Sequence, residues 1–166
     1  FGMRRQGARA YLTVGGGITG PMILESLSTH VRSGLGGLSG RAVKKWDQFS
    51  VEPVIRTAAR SIGRSLPEPS RPRYVTSPVV RVMPGPQTAY FTDEAIRQLT
   101  VSPYRVTTES DRMGYRLEGA ELPHRASADI VSEAVCPGSL QVPSNRQPIL
   151  LMADCQPTGG YAKLAT

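Results

Sequence analysis

Within the ten residues Ser110 to Gly119, SDRMGYRLEG, the stretch Arg112 to Leu117 has the alternating pattern of a β-strand. Side chains on a strand alternate between its faces, so Arg112 and Arg116 share one face with Gly114 between them. Their positions lie roughly 13 Å apart at about 3.3 Å per residue. Two guanidinium groups around a bare position suit a planar anionic or carbonyl ligand. The alternative interpretation is two exposed arginines beside a bulge glycine.

The same region continues into an apolar run, Ile149 to Ala153, which is typical of a strand buried on both faces. Three polar residues follow that run, and we call them the polar tip: Asp154, Gln156 and Thr158. Next comes Gly159-Gly160, where a ligand can approach the backbone closely. We expect the two arginines to face the polar tip across one pocket. A polar strand end with a Gly-Gly turn is the alternative.

Composition favours short strands over long helices. The chain has 166 residues, 39% of them hydrophobic, with 17 Gly and 14 Pro, so we expect one domain or two small ones of mainly β structure. An apolar run long enough to span a membrane is absent from the sequence. The two cysteines, Cys136 and Cys155, and two scattered histidines predict free thiols and no metal site.

Charge is unevenly distributed along the chain. The net charge is +7. Residues 1–83 carry 13 Lys+Arg and 4 Asp+Glu (+9), whereas residues 84–166 carry 7 and 9 (−2). A basic half is one property of nucleic-acid-binding proteins, but aromatic residues are sparse there and a recognition helix is not apparent. We therefore predict a solvated basic face and no nucleic-acid or membrane partner.

The N-terminal half contains two glycine-rich segments. The first, GGGITG at 15–20, follows a predicted strand and satisfies G-x-G-x-x-G, but Pro21 and further glycines leave no room for the helix that a dinucleotide site needs. The second, STHVRSGLGG at 28–37, places Ser28, Thr29 and Arg32 beside a loose backbone that is able to cradle an anion. A glycine-rich turn at a barrel corner is the alternative.

Local signals also predict the remaining elements. We expect a helix over Asp93 to Leu99, with Thr92 as its N-cap and Phe91 and Ile96 as a hydrophobic staple. Prolines and arginines over 52–77 predict a basic connector, with a domain boundary near Arg71. Further strands are predicted at Arg9–Val14, Val79–Met83 and Tyr104–Thr108, and the segment Arg41–Val51 should lead into another.

Several of these motifs, in collinear order, resemble the carboxyltransferase-type family that comprises allophanate hydrolase subunit 2 and the C-type subunit of 5-oxoprolinase, also called the Kip anti-antagonist family. The motifs are STHVRSGLGG, RVMPGPQ at 81–87, SDRMGYRLEG, GSLQVP at 138–143, and DCQPTGGY at 154–161. Family members are longer at both ends, so we expect this chain, which begins at Phe1, to be an internal fragment. Pro157 and Arg146 depart from the family pattern, which often has threonine and glycine there.

The resemblance implies a fold and a domain division. The fold is mainly β: a cyclophilin-like β-barrel with one short helix, plus part of a smaller N-terminal β subdomain. Residues 1–70 would form the partial N-terminal subdomain and linker, and residues 71–166 a barrel that is incomplete at its C-terminal end.

The resemblance also implies a cytoplasmic enzyme subunit. The expected activity is ATP-dependent opening of the 5-oxoproline ring to glutamate. It requires a homologous subunit-1 or subunit-B type partner and a third subunit, with ATP held by the complex, since a Walker motif is absent here. The alternatives are a biotin-dependent, urea carboxylase-like carboxyltransferase subunit and a non-catalytic Kip-type binding module.

Motif match and residue chemistry together define the candidate site. Such reactions place negative charge on a carbonyl oxygen and call for fixed donors in a water-poor pocket. The candidate catalytic residues are Asp111, Arg112, Arg116 and Asp154. The candidate substrate-binding residues are Ser28, Thr29, Arg32, Gln141, Gln147, Gln156, Thr158 and Tyr161.

Overall fold

The computed structural model describes residues 9–53 and 63–166. The chain divides into two compact units between Pro78 and Val79, so the boundary predicted near Arg71 lies a little earlier in the chain. Arg56 and Arg60 of the predicted connector lie outside the described residues. The described part is mainly β with one α-helix, which confirms the predicted fold class.

The N-terminal unit contains a small two-stranded sheet. Strand β1 (Ile18–Thr19) pairs antiparallel with β2 (Ser50–Val51), so the segment Arg41–Val51 does lead into a strand. The prediction of a strand at Arg9–Val14 is wrong, because in the described ranges those residues have no ladder partner. The chain instead turns at Gly17, whose N–H donates to the Val14 carbonyl at 3.0 Å, and pairs only afterwards.

The C-terminal unit is built on a five-stranded antiparallel sheet and a two-stranded one. The large sheet has the order β3-β4-β7-β6-β9, and β5 pairs with β8. The strands are β3 (Arg105–Val106), β4 (Gly114–Glu118), β5 (Asp129–Ala134), β6 (Leu140–Gln141), β7 (Ile149–Leu151), β8 (Thr158–Tyr161) and β9 (Lys163–Ala165).

Several predicted strand boundaries need correction. Strand β4 begins at Gly114, so Arg112 precedes it, and β7 ends at Leu151. Residues 79–83 do not form a strand; Met83 makes only a pair of backbone hydrogen bonds with Thr166 (2.8 and 2.9 Å). The large sheet ends at β3 and β9 and is open in the described residues, so the cyclophilin-like barrel stays a prediction.

One helix and a small core organise the C-terminal unit. Helix α1 spans Asp93–Val101, two residues longer than predicted, and the Thr92 hydroxyl accepts a hydrogen bond from the Ala95 N–H at 3.1 Å. Phe91 is fully buried and belongs to the core cluster, whereas Ile96 is partly exposed and lies outside that cluster. Phe91 therefore packs mainly in the core and not in a hydrophobic staple with Ile96. The buried cluster is Phe91, Ala95, Leu122, Val142, Ala162 and Leu164.

The cap of α1 allows a direct stability test. Thr92→Ala removes the acceptor for the Ala95 N–H, and we expect a loss of about 1 kcal/mol in the free energy of unfolding. Thr92→Asp keeps an acceptor and adds a favourable charge at the helix N-terminus. Urea denaturation followed by circular dichroism should rank Asp with the parent and Ala below both; equal midpoints for Ala and the parent would show that the cap does not stabilise the helix.

Candidate functional site

The structure places Arg112 against the polar tip. Its Nε and Nη2 donate to the two carboxylate oxygens of Asp154 at 2.6 and 3.0 Å. The backbone brings them together, since the Asp154 N–H donates to the Arg112 carbonyl at 2.9 Å. Such a two-point contact fixes both groups and neutralises their charges. Arg112 and Asp154 are therefore neighbours, as the sequence indicated, but each is engaged by the other.

Arg116 lies in a different environment. Its Nε is 3.8 Å from the Glu109 carboxylate, and both side chains are exposed. A hollow of about 450 Å³ opens beside it, which we call the Arg116 hollow. Its lining is Arg105, Val106, Thr107, Thr108, Glu109, Arg116, Leu117, Glu118, Asn145, Gln147, Pro148 and Ile149.

The lining of the Arg116 hollow does not include Arg112 or the polar tip. This hollow therefore does not join both arginines to the polar tip, and a pocket shared by them stays a prediction. The physical reason is the register: Arg116 pairs with Ile149 inside the sheet, whereas Arg112 lies beyond the end of β4, beside the turn that carries Asp154.

Asp111 supports the turn before β4. Its Oδ1 accepts hydrogen bonds from the N–H groups of Met113 and Gly114 at 2.8 and 3.1 Å. Next to it, the Ser110 hydroxyl accepts from the Arg116 N–H at 3.0 Å. These are local side-chain-to-backbone contacts that shape a turn. They orient the entry of β4, and with it Arg116.

Two of the predicted glutamines are held by backbone groups. Gln147 exchanges two hydrogen bonds with Gly119, accepting from its N–H at 2.9 Å and donating to its carbonyl at 3.3 Å. Gln141 is buried on β6, and its Nε2 donates to the Tyr161 carbonyl at 3.4 Å. A Cβ added at Gly159 would lie 2.4 Å from that Nε2. Gln147 lines the Arg116 hollow, whereas Gln141 packs across the Gly-Gly segment.

The remaining C-terminal candidates lie near or on β8. Gln156 is half-buried, and Thr158 is exposed where β8 starts and pairs with Ala134 of β5. Tyr161 is exposed at the end of β8 and pairs with Asp129. Pairing with β5, a strand not predicted, thus positions the DCQPTGGY motif, because its backbone forms one side of a two-stranded sheet.

The N-terminal candidates lie at a second hollow, of about 540 Å³, within the N-terminal unit. Ser28 and Thr29 line it together with the polar residues Thr19, Gln48 and Ser50 and with apolar residues, and its lining contains no charged residue. Arg32 is in the short 3₁₀ turn Val31–Ser33 and is not part of that lining. The anion cradle predicted from these three residues is therefore not supported, since the hollow is neutral and Arg32 lies outside it.

Glycine is required where this segment closes on itself. Gly37 has a φ of 48°, and a Cβ there would lie 1.7 Å from the Thr29 Oγ1. The segment 28–37 is thus a tight turn, with His30 and Leu35 bridged through reciprocal backbone hydrogen bonds. The glycine-rich turn, given above as the alternative, describes this segment.

A polar cluster around one buried lysine was not predicted from the sequence. The Lys163 side chain is only 5% exposed, and its Nζ donates to the Glu133 carboxylate. Gln87 donates to the same carboxylate at 2.5 Å and accepts from the Lys163 N–H at 3.1 Å. A lysine between alanine and leucine in an apolar strand was the available signal, because a lysine buried in such a run needs a partner.

His124 lies in the loop between β4 and β5, at the edge of the core. Its ring is half-buried, packs against Phe91 with centroids 4.6 Å apart, and donates from Nε2 to the Val142 carbonyl at 3.0 Å. Burial lowers the pKa of His124. The ring is therefore a neutral structural donor at the edge of the core.

Within residues 9–53 and 63–166, no group of three or more His, Cys, Asp or Glu is placed to hold a metal ion. None of the helices described there is both long and apolar enough to cross a membrane. Cys136 is exposed, Cys155 is half-buried, and both thiols are free.

In the described residues, antiparallel sheets with polar groups at strand ends define a β-rich protein. The chain belongs to the carboxyltransferase domain family, subdomain A and B, whose sequence model matches residues 1–166. It is 35% identical over 161 residues to the C-type subunit of 5-oxoprolinase from Escherichia coli and 37% identical over 163 residues to that from Haemophilus influenzae. The matches cover 97% and 96% of this chain but 50% and 49% of the relatives, so the chain spans about half their length.

Solved structures support the same fold. The crystal structure of TTHA0988 matches with a TM-score of 0.69 at 33% identity, covering 90% of this chain and 27% of that one. The urea amidolyase of Kluyveromyces lactis matches with a TM-score of 0.64 at 21% identity, covering 93% of this chain and 10% of that one. The second similarity shows the fold alone.

Proposed function

We propose that this chain is part of a 5-oxoprolinase subunit of the C type, acting in a multi-subunit complex that opens the 5-oxoproline ring to glutamate with ATP. The observation that carries the proposal is the identity of 35% and 37%, along nearly the whole chain, to two proteins named as 5-oxoprolinase subunits of that type. The name of those relatives indicates further subunits. We place the homologous subunit-1 or subunit-B type partner, the third subunit and the ATP site on other chains of a cytoplasmic complex.

The chemistry of the reaction matches the Arg116 hollow better than the Arg112 pair. Lactam opening breaks the ring C–N bond, adds water across it and places negative charge on the carbonyl oxygen during attack. Fixed donors at that oxygen lower the barrier when they point at the developing charge. In the Arg116 hollow the Gln147 amide, which backbone contacts fix, is such a donor, and Arg116 supplies a cation for the negatively charged end of the substrate. Arg112 is held by Asp154 and positions the turn at the end of β7.

A second candidate function is favoured by the family itself. A carboxyltransferase domain moves a carboxyl group, and the alternative activity is transfer from biotin to urea or a related amide. In that case the biotin carboxylase and the biotinylated segment are on other chains. The attacking amide and the 5-oxoproline lactam are similar in shape and polarity, so both functions need amide-binding donors in the same subunit.

Reconstitution separates these functions. We expect glutamate to form from 5-oxoproline and ATP when the chain is combined with its partner subunits, and no turnover by the chain alone. The control is the partner subunits without this chain. Biotin-dependent carboxylation of urea by the assembled system would instead select the carboxyltransferase function. Tight partner binding without either activity would contradict both and favour a Kip-type binding module.

A further inference from the structure

The two arginines of the SDRMGYRLEG segment differ in how closely a neighbouring carboxylate pairs with the guanidinium group. Arg112 makes a two-point ion pair with Asp154 at 2.6 and 3.0 Å. Arg116 has its Nε 3.8 Å from the Glu109 carboxylate, beyond hydrogen-bonding range, with side chains 54% and 79% exposed. An exposed pair at that separation contributes little. Arg116 therefore retains a planar donor face that suits two-point binding of a carboxylate.

The sheet register places Arg116 between two other residues that line the Arg116 hollow. On one side Thr107 lies opposite it, with the Thr107 N–H donating to the Arg116 carbonyl at 2.9 Å. On the other side Ile149 of β7 is its pairing partner. Residues directly opposite in antiparallel strands share a face, and all three line the hollow. A cation thus lies between a hydroxyl residue and an apolar one.

Thr107 carries an unused hydrogen-bonding group. Its Oγ1 is shielded from water and has no hydrogen-bond partner, the one such buried side-chain atom in the part of the chain that the structure describes. Leaving a buried hydroxyl unpaired is unfavourable, and rotation of the Thr107 side chain toward a ligand in the hollow would give this hydroxyl a partner. The Gln147 amide, fixed by Gly119, is a second neutral group at the same hollow.

The charge of the lining limits the size of the anion. Arg105 is paired with Glu118 at 2.5 Å, which leaves Arg116 with only the distant Glu109. The lining carries two arginines and two glutamates, so it lacks the excess positive charge that a polyanion such as a nucleoside triphosphate requires, whereas the Arg116 guanidinium suits a single carboxylate. The hydroxyl and amide groups then suit an amide, and Ile149 and Leu117 supply apolar surface for ring carbons.

We propose that the Arg116 hollow binds a small monocarboxylate that also carries an amide, with Arg116 taking the carboxylate and Thr107 and Gln147 taking the amide. The identity of the ligand as 5-oxoproline rests on the proposed function, whereas the ligand class rests on the hollow. Arg116 is thus a residue that selects the substrate by its carboxylate, and Arg112 is a structural residue.

Binding to the chain tests this with matched ligands. Isothermal titration should detect 5-oxoproline and should show binding at least about tenfold weaker for 2-pyrrolidinone, the same ring without its carboxylate. Arg116→Ala should weaken 5-oxoproline binding by about 10- to 100-fold and leave 2-pyrrolidinone binding unchanged. Arg97→Ala, which removes the same charge from helix α1, is the control and should bind like the parent.

Thr107→Val provides a second, independent variant. It keeps the shape of the side chain and removes the unpaired hydroxyl, so the unliganded protein should be as stable as the parent or more stable. It should also bind 5-oxoproline several-fold more weakly. A variant that is destabilised and binds normally would contradict a ligand role for Thr107.

The outcomes separate this inference from the proposed function. If allophanate, a urea with a carboxylate, binds with the same dependence on Arg116 while 5-oxoproline does not, the ligand class stands and the 5-oxoprolinase function falls. If neither ligand binds, if 2-pyrrolidinone binds as tightly as 5-oxoproline, or if Arg116→Ala binds normally, the inference is overturned. Turnover by the reconstituted complex would then still support the proposed function.

Discussion

Phe91→Ala is expected to lower the free energy of unfolding by about 3–5 kcal/mol, the range for removing a fully buried aromatic side chain. Phe91 is 0% exposed and belongs to the cluster that joins helix α1 to Leu122 and β9. Removing the ring leaves a cavity that the surrounding strands fill only partly. A domain with about 5–15 kcal/mol of total stability loses much of it.

Urea denaturation at neutral pH measures this loss. The midpoint should fall while the slope with denaturant stays the same, because the surface exposed on unfolding changes little. Ile96→Ala, on the same helix but partly exposed and outside the core, is the matched control and should lose much less. Equal losses for the two variants would show that the core does not lie where the structure places it.

Glu133→Gln is expected to lower the melting temperature by roughly 5–10 °C. The Lys163 side chain is almost fully buried, and Glu133 is its partner. Removing one member of such a pair leaves an uncompensated charge away from water. Glu133 itself is 43% exposed, so water relieves part of the effect and we expect less than for a fully buried pair.

The double variant Glu133→Gln, Lys163→Met identifies the cause of the destabilisation by Glu133→Gln. If the destabilisation comes from an unpaired buried ammonium, removing that charge as well should recover most of the lost melting temperature. A double variant as unstable as Glu133→Gln would contradict the explanation and point to the hydrogen bond between Gln87 and Glu133. Glu121→Gln, in the exposed pair with Arg146, is the control and should change little.

The Lys163–Glu133 pair also predicts how the stability of the protein changes at acid pH. The hydrogen bond from Lys163 holds the pKa of Glu133 below its ordinary value of 4.5. A carboxyl with a depressed pKa in the folded state stabilises the protein fully above its ordinary value, and the contribution is lost as the pH falls through the folded value. The difference in melting temperature between the parent and Glu133→Gln should therefore be constant from about pH 7 to about pH 5 and shrink below about pH 4.5. A difference that grows on acidification would contradict the pairing.

Elements defined by neighbouring residues were predictable, and those defined by distant partners were not. Helix α1 follows from Thr92 and the first turn, so its start was correct. Strand β4 was recognised from alternation alone, although its first residue depends on pairing with Leu151 of β7. Residues 79–83 have strand-like composition, but only Met83 finds ladder-type hydrogen bonds.

The candidate site shows the same division. Residue types indicated that Arg112 and Asp154 lie close together, but not that they neutralise each other. The unpaired hydroxyl of Thr107 was not predictable from the sequence, because its lack of a partner depends on the surrounding structure. Lys163 and Glu133 are 30 residues apart in the chain, and the pairing of β6 with β9 contains a register shift between Leu140 and Gln141. Their contact was therefore not predictable from spacing in the sequence.

One departure from the family pattern has a structural counterpart. Arg146, where glycine is common in the family, has a φ of 59°, in the region that favours glycine. It adopts this strained conformation while pairing with Glu121 at 2.9 Å, and its N–H donates to the Pro143 carbonyl at 2.9 Å. The turn therefore keeps the geometry that a glycine would give it, and Gln147 stays in place at the Arg116 hollow.

The most direct test of the account compares 5-oxoproline turnover by reconstituted complexes that contain the parent chain, Arg116→Ala or Arg97→Ala. We predict that Arg116→Ala raises the KM for 5-oxoproline by about tenfold or more, whereas Arg97→Ala turns over substrate like the parent. If the Arg116→Ala complex retains the parent's kcat and KM, Arg116 does not bind the substrate, and the Arg116 hollow is not the site at which this chain serves the reaction.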